Sequence, residues 1–293
     1  MRCLLCGYKD QKPFKEVESF GIPLIYYQCK HCGLIFQSIE ESPAAQMDFY
    51  TDTYRMLYQN NEEPTEKDLW TQRQRAVYLL NLVRSRKHFN PQRILDIGAS
   101  SGVFIRVCQE IFDAEVIGVQ PGDAYRTYAE AKGLKMYASL DALIETHPEK
   151  FDLVSLIHVL EHLPDPLDIL KTIREKLVSE KGMLLLEVPN FYAHDSYELA
   201  HLSCFTPHTL RETVKQAGFK VVMLSQYGKP RSKLLNLYLK ILARPMKNSS
   251  SIPPVKPEYN VRLKRKVGFF YRRVVQKLFP HQAWLPLPGD KVS

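Results

Sequence analysis

The sequence predicts an α/β protein: a doubly wound, mostly parallel sheet, with a small cysteine-framed ribbon ahead of it and a basic helix behind it. Three observations carry that prediction. Short apolar strands alternate with helix-length runs over residues 93–224, as repeated βα units do. Two Cys-x-x-Cys pairs stand within the first 32 residues. Charge is divided along the chain, with a balance of −5 over residues 1–225 and +13 over residues 226–293, which bears on partners rather than on fold.

The ribbon comes first, over residues 1–40. Cys3 and Cys6 are separated by two residues, as are Cys29 and Cys32, and 22 residues lie between the pairs. Two such knuckles can turn four sulfurs toward one tetrahedral ion, so zinc held by Cys3, Cys6, Cys29 and Cys32 is expected. Gly7 and Gly33 each follow the second cysteine of a pair, where the tight turn favours positive φ. A pair of disulfides fits less well, because the opening Met1-Arg2-Cys3 has no apolar leader and reads as cytoplasmic. Four thiolates leave no open coordination position, so the ion would be structural. His31 lies inside a knuckle and is expected to be exposed, while Cys108 and Cys204 read as packed core thiols.

Residues 41–90 read as a helical connector or lid, with helices near 43–58 and 67–88 and a boundary at Pro91. The body, residues 91–245, then offers strands at 94–97, 115–119, 134–137, 152–156 and 183–188. Between them run helices at 103–112, 123–132, 140–146 and 167–177. A helix over 207–217, opened by Thr206 as N-cap, and a strand over 220–224 follow. The segment 232–244 suits either a strand or a helix. Ligands of such sheets bind beyond the carboxyl ends of the strands, where the strand order reverses.

The first strand-loop-helix narrows the ligand. It contains Asp96, Gly98, Ser100 and Gly102 in the pattern Asp-x-Gly-x-Ser-x-Gly. A dinucleotide loop would need glycine at 100 and 103, and the chain has Ser100 and Val103. The pattern resembles motif I of the class I S-adenosylmethionine-dependent methyltransferases, and residues 151–166, 180–190 and 209–219 resemble later motifs of that family. A zinc ribbon followed by Tyr50-x-x-x-Tyr54-Arg55 is similar to a subgroup associated with methylation of sugars and surface glycans. The resemblance implies a Rossmann-like methyltransferase fold in which Asp96, Gly98, Ser100 and Gly102 surround the methionine part of S-adenosylmethionine. It places Ser139 and Leu140 at the adenine and His158 near the sulfonium. The family usually has Asp or Glu at the end of the second strand, accepting from the ribose hydroxyls. This chain has Gln120, with one acceptor oxygen and no charge.

Methyl transfer is an in-line displacement, and an oxygen or carbon acceptor needs a base for its proton. Two candidates stand out, His162 beside Glu161 after the fourth strand, and His201 in a segment resembling the acceptor-facing part of the subgroup. Sugar C-methylating members carry Tyr and Glu shortly before that histidine; here Glu198, Leu199 and Ala200 precede it, which speaks against C-methylation.

The last section, 246–293, reads as a linker and a basic amphipathic helix. Leu263, Val267, Phe270, Tyr271, Val274 and Leu278 share one face, and Lys and Arg fill the other with no acid between Val261 and Phe279. Such a helix suits peripheral contact with an anionic membrane, or packing of its apolar face on the body or a second subunit. The expected function is methyl transfer from S-adenosylmethionine to a small-molecule or glycan acceptor, lipid-linked if the helix meets a membrane. Two rivals remain. An RNA methyltransferase would use the tail's charge, although the body lacks a basic excess. A non-catalytic binding protein that kept the fold would explain Gln120.

Overall fold

The computed structural model describes residues 2–37, 63–247 and 252–289. The expected helix at 43–58 and the Tyr50, Tyr54 and Arg55 stretch lie outside the described residues.

Three strands form the ribbon: β1 (Gln11–Ser19), β2 (Ile22–Cys29) and β3 (Ile35–Gln37). Helix α1 (Glu66–Arg84) starts at a capping box between Thr65 and Asp68 and buries Ala76, Leu79, Leu80 and Val83, the spacing of one helical face. The body then alternates β4 (Arg93–Ile97), α2 (Val103–Phe112), β5 (Glu115–Val119), α3 (Asp123–Glu130), β6 (Lys135–Tyr137) and α4 (Leu140–Thr146). Next come β7 (Phe151–Ile157), α5 (Pro166–Thr172), which widens into a π turn over Ile173–Leu177, and β8 (Val178–Pro189). The two-residue β9 (Ser203–Cys204), α6 (Pro207–Gln216), β10 (Phe219–Tyr227) and β11 (Tyr238–Pro245) complete the body. The segment with two open readings therefore ends in a strand, and Thr206 caps α6 as expected.

Seven strands make one sheet in the order β10-β11-β8-β7-β4-β5-β6. Only β11 opposes its neighbours; the β8-β7-β4-β5-β6 pairs are parallel. Both faces are covered, so the central strands read as continuous apolar runs. Along β8, Leu184 and Leu186 enter one core cluster while Met183 and Leu185 enter the other, the two-residue alternation of a strand. The chain leaves β4 toward β6 on one side and returns to β7 on the other. The switch point thus lies at the carboxyl ends of β4 and β7.

The ribbon and the body share a sheet. Strand β9 pairs antiparallel with β3, setting Ile35 opposite Cys204 and Phe36 opposite Ser203. The Gln37 amide donates to the carbonyls of Glu198 (2.7 Å) and His201 (2.9 Å), and Tyr26 Oη donates to Glu198 O at 2.8 Å.

The tail is also docked. Residues 252–260, expected as a linker, lie along α6: Gln216 donates to Pro253 O (2.7 Å), His208 Nε2 to Lys256 O (2.8 Å), and Lys256 N–H to Glu212 (3.1 Å). Helix α7 (Val261–Leu278) and the short α8 (Pro280–Ala283) follow. The alternative of an apolar face packed on the body is overturned. Val261, Arg265 and Val275 are the residues of α7 that become buried, and the Leu263–Phe270–Leu278 face is exposed.

Candidate active site and cysteine centre

The four cysteines converge as their spacing predicted. Cys3 Sγ lies 3.5 Å from Cys32 Sγ, and Cys6 Sγ lies 3.6 Å from Cys29 Sγ. A tetrahedral ion with metal–sulfur bonds of about 2.3 Å sets its sulfurs about 3.8 Å apart, so the group has the size such an ion needs. No disulfide joins them. Gly7 and Gly33 take φ of +70° and +83°, and their N–H groups close each knuckle onto Cys3 O (2.9 Å) and Cys29 O (3.1 Å). His31 is exposed beside Tyr8.

At the switch point the loop after β4 winds through three left-handed residues, Gly98 (φ +76°), Ser100 (φ +51°) and Gly102 (φ +75°). Gly98 also has no room for a side chain, because a Cβ there would stand 2.3 Å from Val159 Cγ2. The loop is tied down from both sides: Gly98 and Ala99 N–H donate to Val119 O, and Ser100 N–H donates to Gln120 Oε1 at 2.7 Å. Ser101 Oγ donates to Gln72 on α1 at 3.0 Å. The loop delivers the chain into α2, whose first N–H groups form an anion-binding end. Asp96 is buried below, accepting from Ser155 Oγ at 2.6 Å, and burial raises its carboxyl to about 7.

Val159 belongs to a segment that carries a polar cluster from the end of β7. His158 sits at φ +56° with both ring nitrogens on carboxylates, Nε2 at 2.7 Å from Glu187 and Nδ1 at 3.2 Å from Glu161. Burial and the Arg75 charge push its pKa down, but the hydrogen bonds to the two carboxylates more than reverse this and leave it raised. Glu187 is held in turn by Arg75 Nε (2.8 Å) and by a short hydrogen bond from Tyr227 Oη. On the other side of Glu161, His162 Nδ1 donates to Ala200 O (2.8 Å) and His201 Nδ1 to Ser196 O (3.2 Å). Their ring centroids are 5.0 Å apart. Burial lowers both imidazoles, His201 to about 3. Burial opposes ionisation of Glu161 as well, yet the His158 hydrogen bond and the neighbouring histidines hold it at about 2. The cluster therefore keeps two neutral imidazoles against one carboxylate. Ligand atoms of Glu161, His162 and His201 lie within 4.8 Å of one another.

The profile of a family described as a methyltransferase domain matches residues 69–224. The chain belongs to that methyltransferase family. Ubiquinone biosynthesis O-methyltransferases are similar over part of it: the one from Pseudomonas fluorescens is 28% identical over 99 residues, 31% of this chain and 42% of the relative. The one from Actinobacillus pleuropneumoniae is 28% identical over 110 residues, 34% of this chain and 46% of the relative. Each match thus spans less than half of the relative's length. Among solved structures, the 1,6-didemethyltoxoflavin-N1-methyltransferase of Burkholderia thailandensis superposes with a TM-score of 0.55 at 19% identity, covering 73% of this chain and 96% of that one. The plantazolicin methyltransferase BpumL gives 0.52 at 13% identity, covering 70% and 95%. The fold is the class I methyltransferase fold.

Within this methyltransferase, Asp96, Gly98, Ser100, Gly102, Gln120 and His158 gather around the switch point. Gln120 is engaged within the protein itself, stapling the loop through Ser100. Ser139 caps α4 by accepting from Ala142 N–H at 3.1 Å, and Leu140 packs on the core. The two base candidates, His162 and His201, come from segments 39 residues apart and stand side by side. Sequence reasoning missed Arg75, Glu187 and Tyr227. Glu187 alone left a signal, an acid inside the apolar run Leu184-Leu185-Leu186-Glu187-Val188. Of the other aromatics near His201, Tyr192 donates to Glu258 and Tyr197 packs edge-on to Tyr26, so both serve the ribbon and tail side.

Proposed function

We propose that this chain transfers a methyl group from S-adenosylmethionine to a hydroxyl of a small-molecule acceptor, a glycan or lipid-linked intermediate in the reading its sequence suggests. The observation that carries this is the buried Glu161–His162–His201 group, which keeps neutral imidazoles one short turn from the Gly98 loop. A hydroxyl acceptor needs such a proton acceptor, and the partial relatives' names point to oxygen acceptors too. The glycine loop and the N-terminus of α2 suit the methionine part of the donor, whose carboxylate the free N–H groups would bind. When bound, the donor supplies an electrophilic methyl on a sulfonium. His201 donates Nδ1–H to Ser196 O, so the lone pair sits on Nε2, 3.8 Å from Glu198 Oε2. The acceptor proton passes to Nε2; burial makes the imidazolium costly there, and the Glu161 charge, with Glu198 3.8 Å from Nε2, offsets part of that cost. We propose a structural zinc on Cys3, Cys6, Cys29 and Cys32.

His201→Asn is expected to lower kcat by about 10²–10⁴ while S-adenosylhomocysteine binding stays unchanged. Release of S-adenosylhomocysteine, with hydroxylated glycosides and polyprenyl phenols offered as acceptors, reads the effect; an unaltered rate removes His201 from the chemistry. Burial first, then the charges of Glu161 and Asp195, raise Glu198 to about 7. The helpful carboxylate is therefore present above pH 7 and lost below it, so kcat should rise through pH 7, and Glu198→Gln should flatten the rise.

A second reading is favoured by the 4.8 Å spacing of ligand atoms: Glu161, His162 and His201 hold a divalent cation that ionises the hydroxyl. It predicts activity lost to a chelator and restored by manganese, a transition ion that two imidazoles and a carboxylate can hold and that the thiolate group does not favour.

Gln120→Glu should tighten S-adenosylhomocysteine binding about fivefold, since one carboxylate oxygen can keep Ser100 N–H while the other accepts a charge-assisted bond from ribose. Calorimetry checks it; unchanged affinity would mean that residue 120 serves the loop alone.

A further inference from the structure

Helix α7 is docked with two arginines inward and most of its apolar side chains outward. Arg265 is buried, its Nη1 donating to Phe191 O and to His194 O (3.3 Å), with the guanidinium 4.1 Å from the Phe191 ring centroid. Arg272 donates to Ala193 O at 3.0 Å and lies over Trp284. Between them Gly268 presses on the body so closely that a Cβ would stand 2.0 Å from Tyr192 O. The N-terminal end is pinned by Arg262, which donates to Phe14 O at 2.8 Å, and the C-terminal end by Val275 in the core and Leu285 N–H on Arg231 O. The helix is thus held along its length, and the docked side is set by glycine and arginine.

The opposite side carries Leu263, Val267, Phe270 and Leu278, each between 59% and 62% exposed. At 100° per residue these side chains form one stripe about 80° wide. Lys266, Arg273 and Lys277 line one edge of it and Lys264 the other, all exposed, and no acid occurs anywhere in the helix. An apolar stripe of this length with a cationic border is not ordinary solvent-facing surface. A second copy of the chain fits it poorly, because an isologous pairing would bring both cationic borders together. RNA would use the charge but leave the aliphatic stripe in water. Among the described residues no helix is long and apolar enough to cross a membrane.

We infer that the outward face of α7 is a docking surface for an anionic lipid bilayer. The helix lies in the interface plane with Val267, Phe270 and Val274 below the headgroups, while Lys266, Arg273 and Lys277 reach the phosphates and Lys264 stays paired with Glu258 at 3.0 Å. The body, held rigidly behind Arg265 and Arg272, is thereby kept at the membrane surface. This stands apart from the methyl-transfer reading, since lipid binding is measured without any acceptor.

Sedimentation of the full chain with vesicles of phosphatidylcholine, alone or mixed with phosphatidylglycerol, tests it. Binding is expected to the mixed vesicles and to weaken as salt rises. Phe270→Glu should abolish it. The pair Lys266→Gln and Lys277→Gln should lower partitioning about thirtyfold, at about 1 kcal/mol for each charge near the surface. These side chains are exposed, so unchanged circular dichroism and S-adenosylhomocysteine binding would confirm an intact fold. Vesicles ignored by the parent chain would overturn the inference. So would a dimer that Phe270→Glu converts to monomer, or RNA capture in place of lipid.

Discussion

Cys29→Ser is expected to leave the seven-stranded body folded and still able to bind S-adenosylhomocysteine, but to lower methyl transfer by about 10² or more. A structural zinc holding a small module contributes apparent free energies of about 10–16 kcal/mol, against a net stability of about 5–15 kcal/mol for a whole domain. A ribbon of this size has little core of its own to fall back on. Its loss would not stay local. Strand β3 is the partner of β9, and Gln37 and Tyr26 hold the carbonyls of Glu198 and His201. The cysteine centre thus sets the loop that presents His201, whereas the glycine loop is held by Val119, Gln120 and Gln72, all outside the ribbon. Metal analysis should fall from about one zinc per chain to none. A variant that lost its zinc and kept its full kcat would show that the ribbon does not position the site.

Glu187→Ala is expected to cost about 3–5 kcal/mol of stability, because it leaves the Arg75 guanidinium in a largely buried site without its counter-charge and leaves His158 with Glu161 alone. Urea unfolding should show it as a lower midpoint with an unchanged slope. Double replacement of Arg75 and Glu187 by Met should cost less than the sum of the single changes, since the orphaned charge is then removed as well. Within the same network the His158 contribution to stability has a definite sign. His158 is raised in the folded state, so its contribution is complete below the ordinary histidine pKa of about 6.5 and is lost as pH rises through the folded value. Glu187→Gln should shrink that loss. Asp96 and Glu198, both raised to about 7, and the lowered His162 and His201 contribute over the same window with opposing signs, so the difference between parent and variant is the readout: an identical pH dependence in Glu187→Gln would mean that the His158 pair is not a net contributor.

Much of the molecule was legible because its signals are local. The glycine loop announces itself through three left-handed positions within five residues, and two of them are glycines. The cysteine knuckles announce themselves through two-residue gaps, the helices through periodicity and caps such as Thr206. What escaped was long-range. Arg75 and Tyr227 reach Glu187 from 112 and 40 positions away, and no pattern in α1 or β10 marks either as a site residue. Gln120 read as a weakened ribose acceptor, yet its oxygen is spent on Ser100 N–H, a use visible only once the loop has folded over β5.

The sequence by itself determined the α/β alternation, the place of the glycine loop, the two cysteine knuckles and the two histidines that could serve as base. Each of these signals is carried by residues within one element or one turn, where spacing is geometry; the meeting of the two knuckles, and of the two histidines, is tertiary. Only the tertiary structure decided that β9 binds the ribbon to the body, that a buried network of two carboxylates and an arginine holds His158, and which way α7 faces. Periodicity says which side chains of a helix share a side, but not which side meets the protein. Here a glycine notch against Tyr192 O and two arginines with carbonyl partners matched the body better than the apolar stripe did, and the stripe was left facing out.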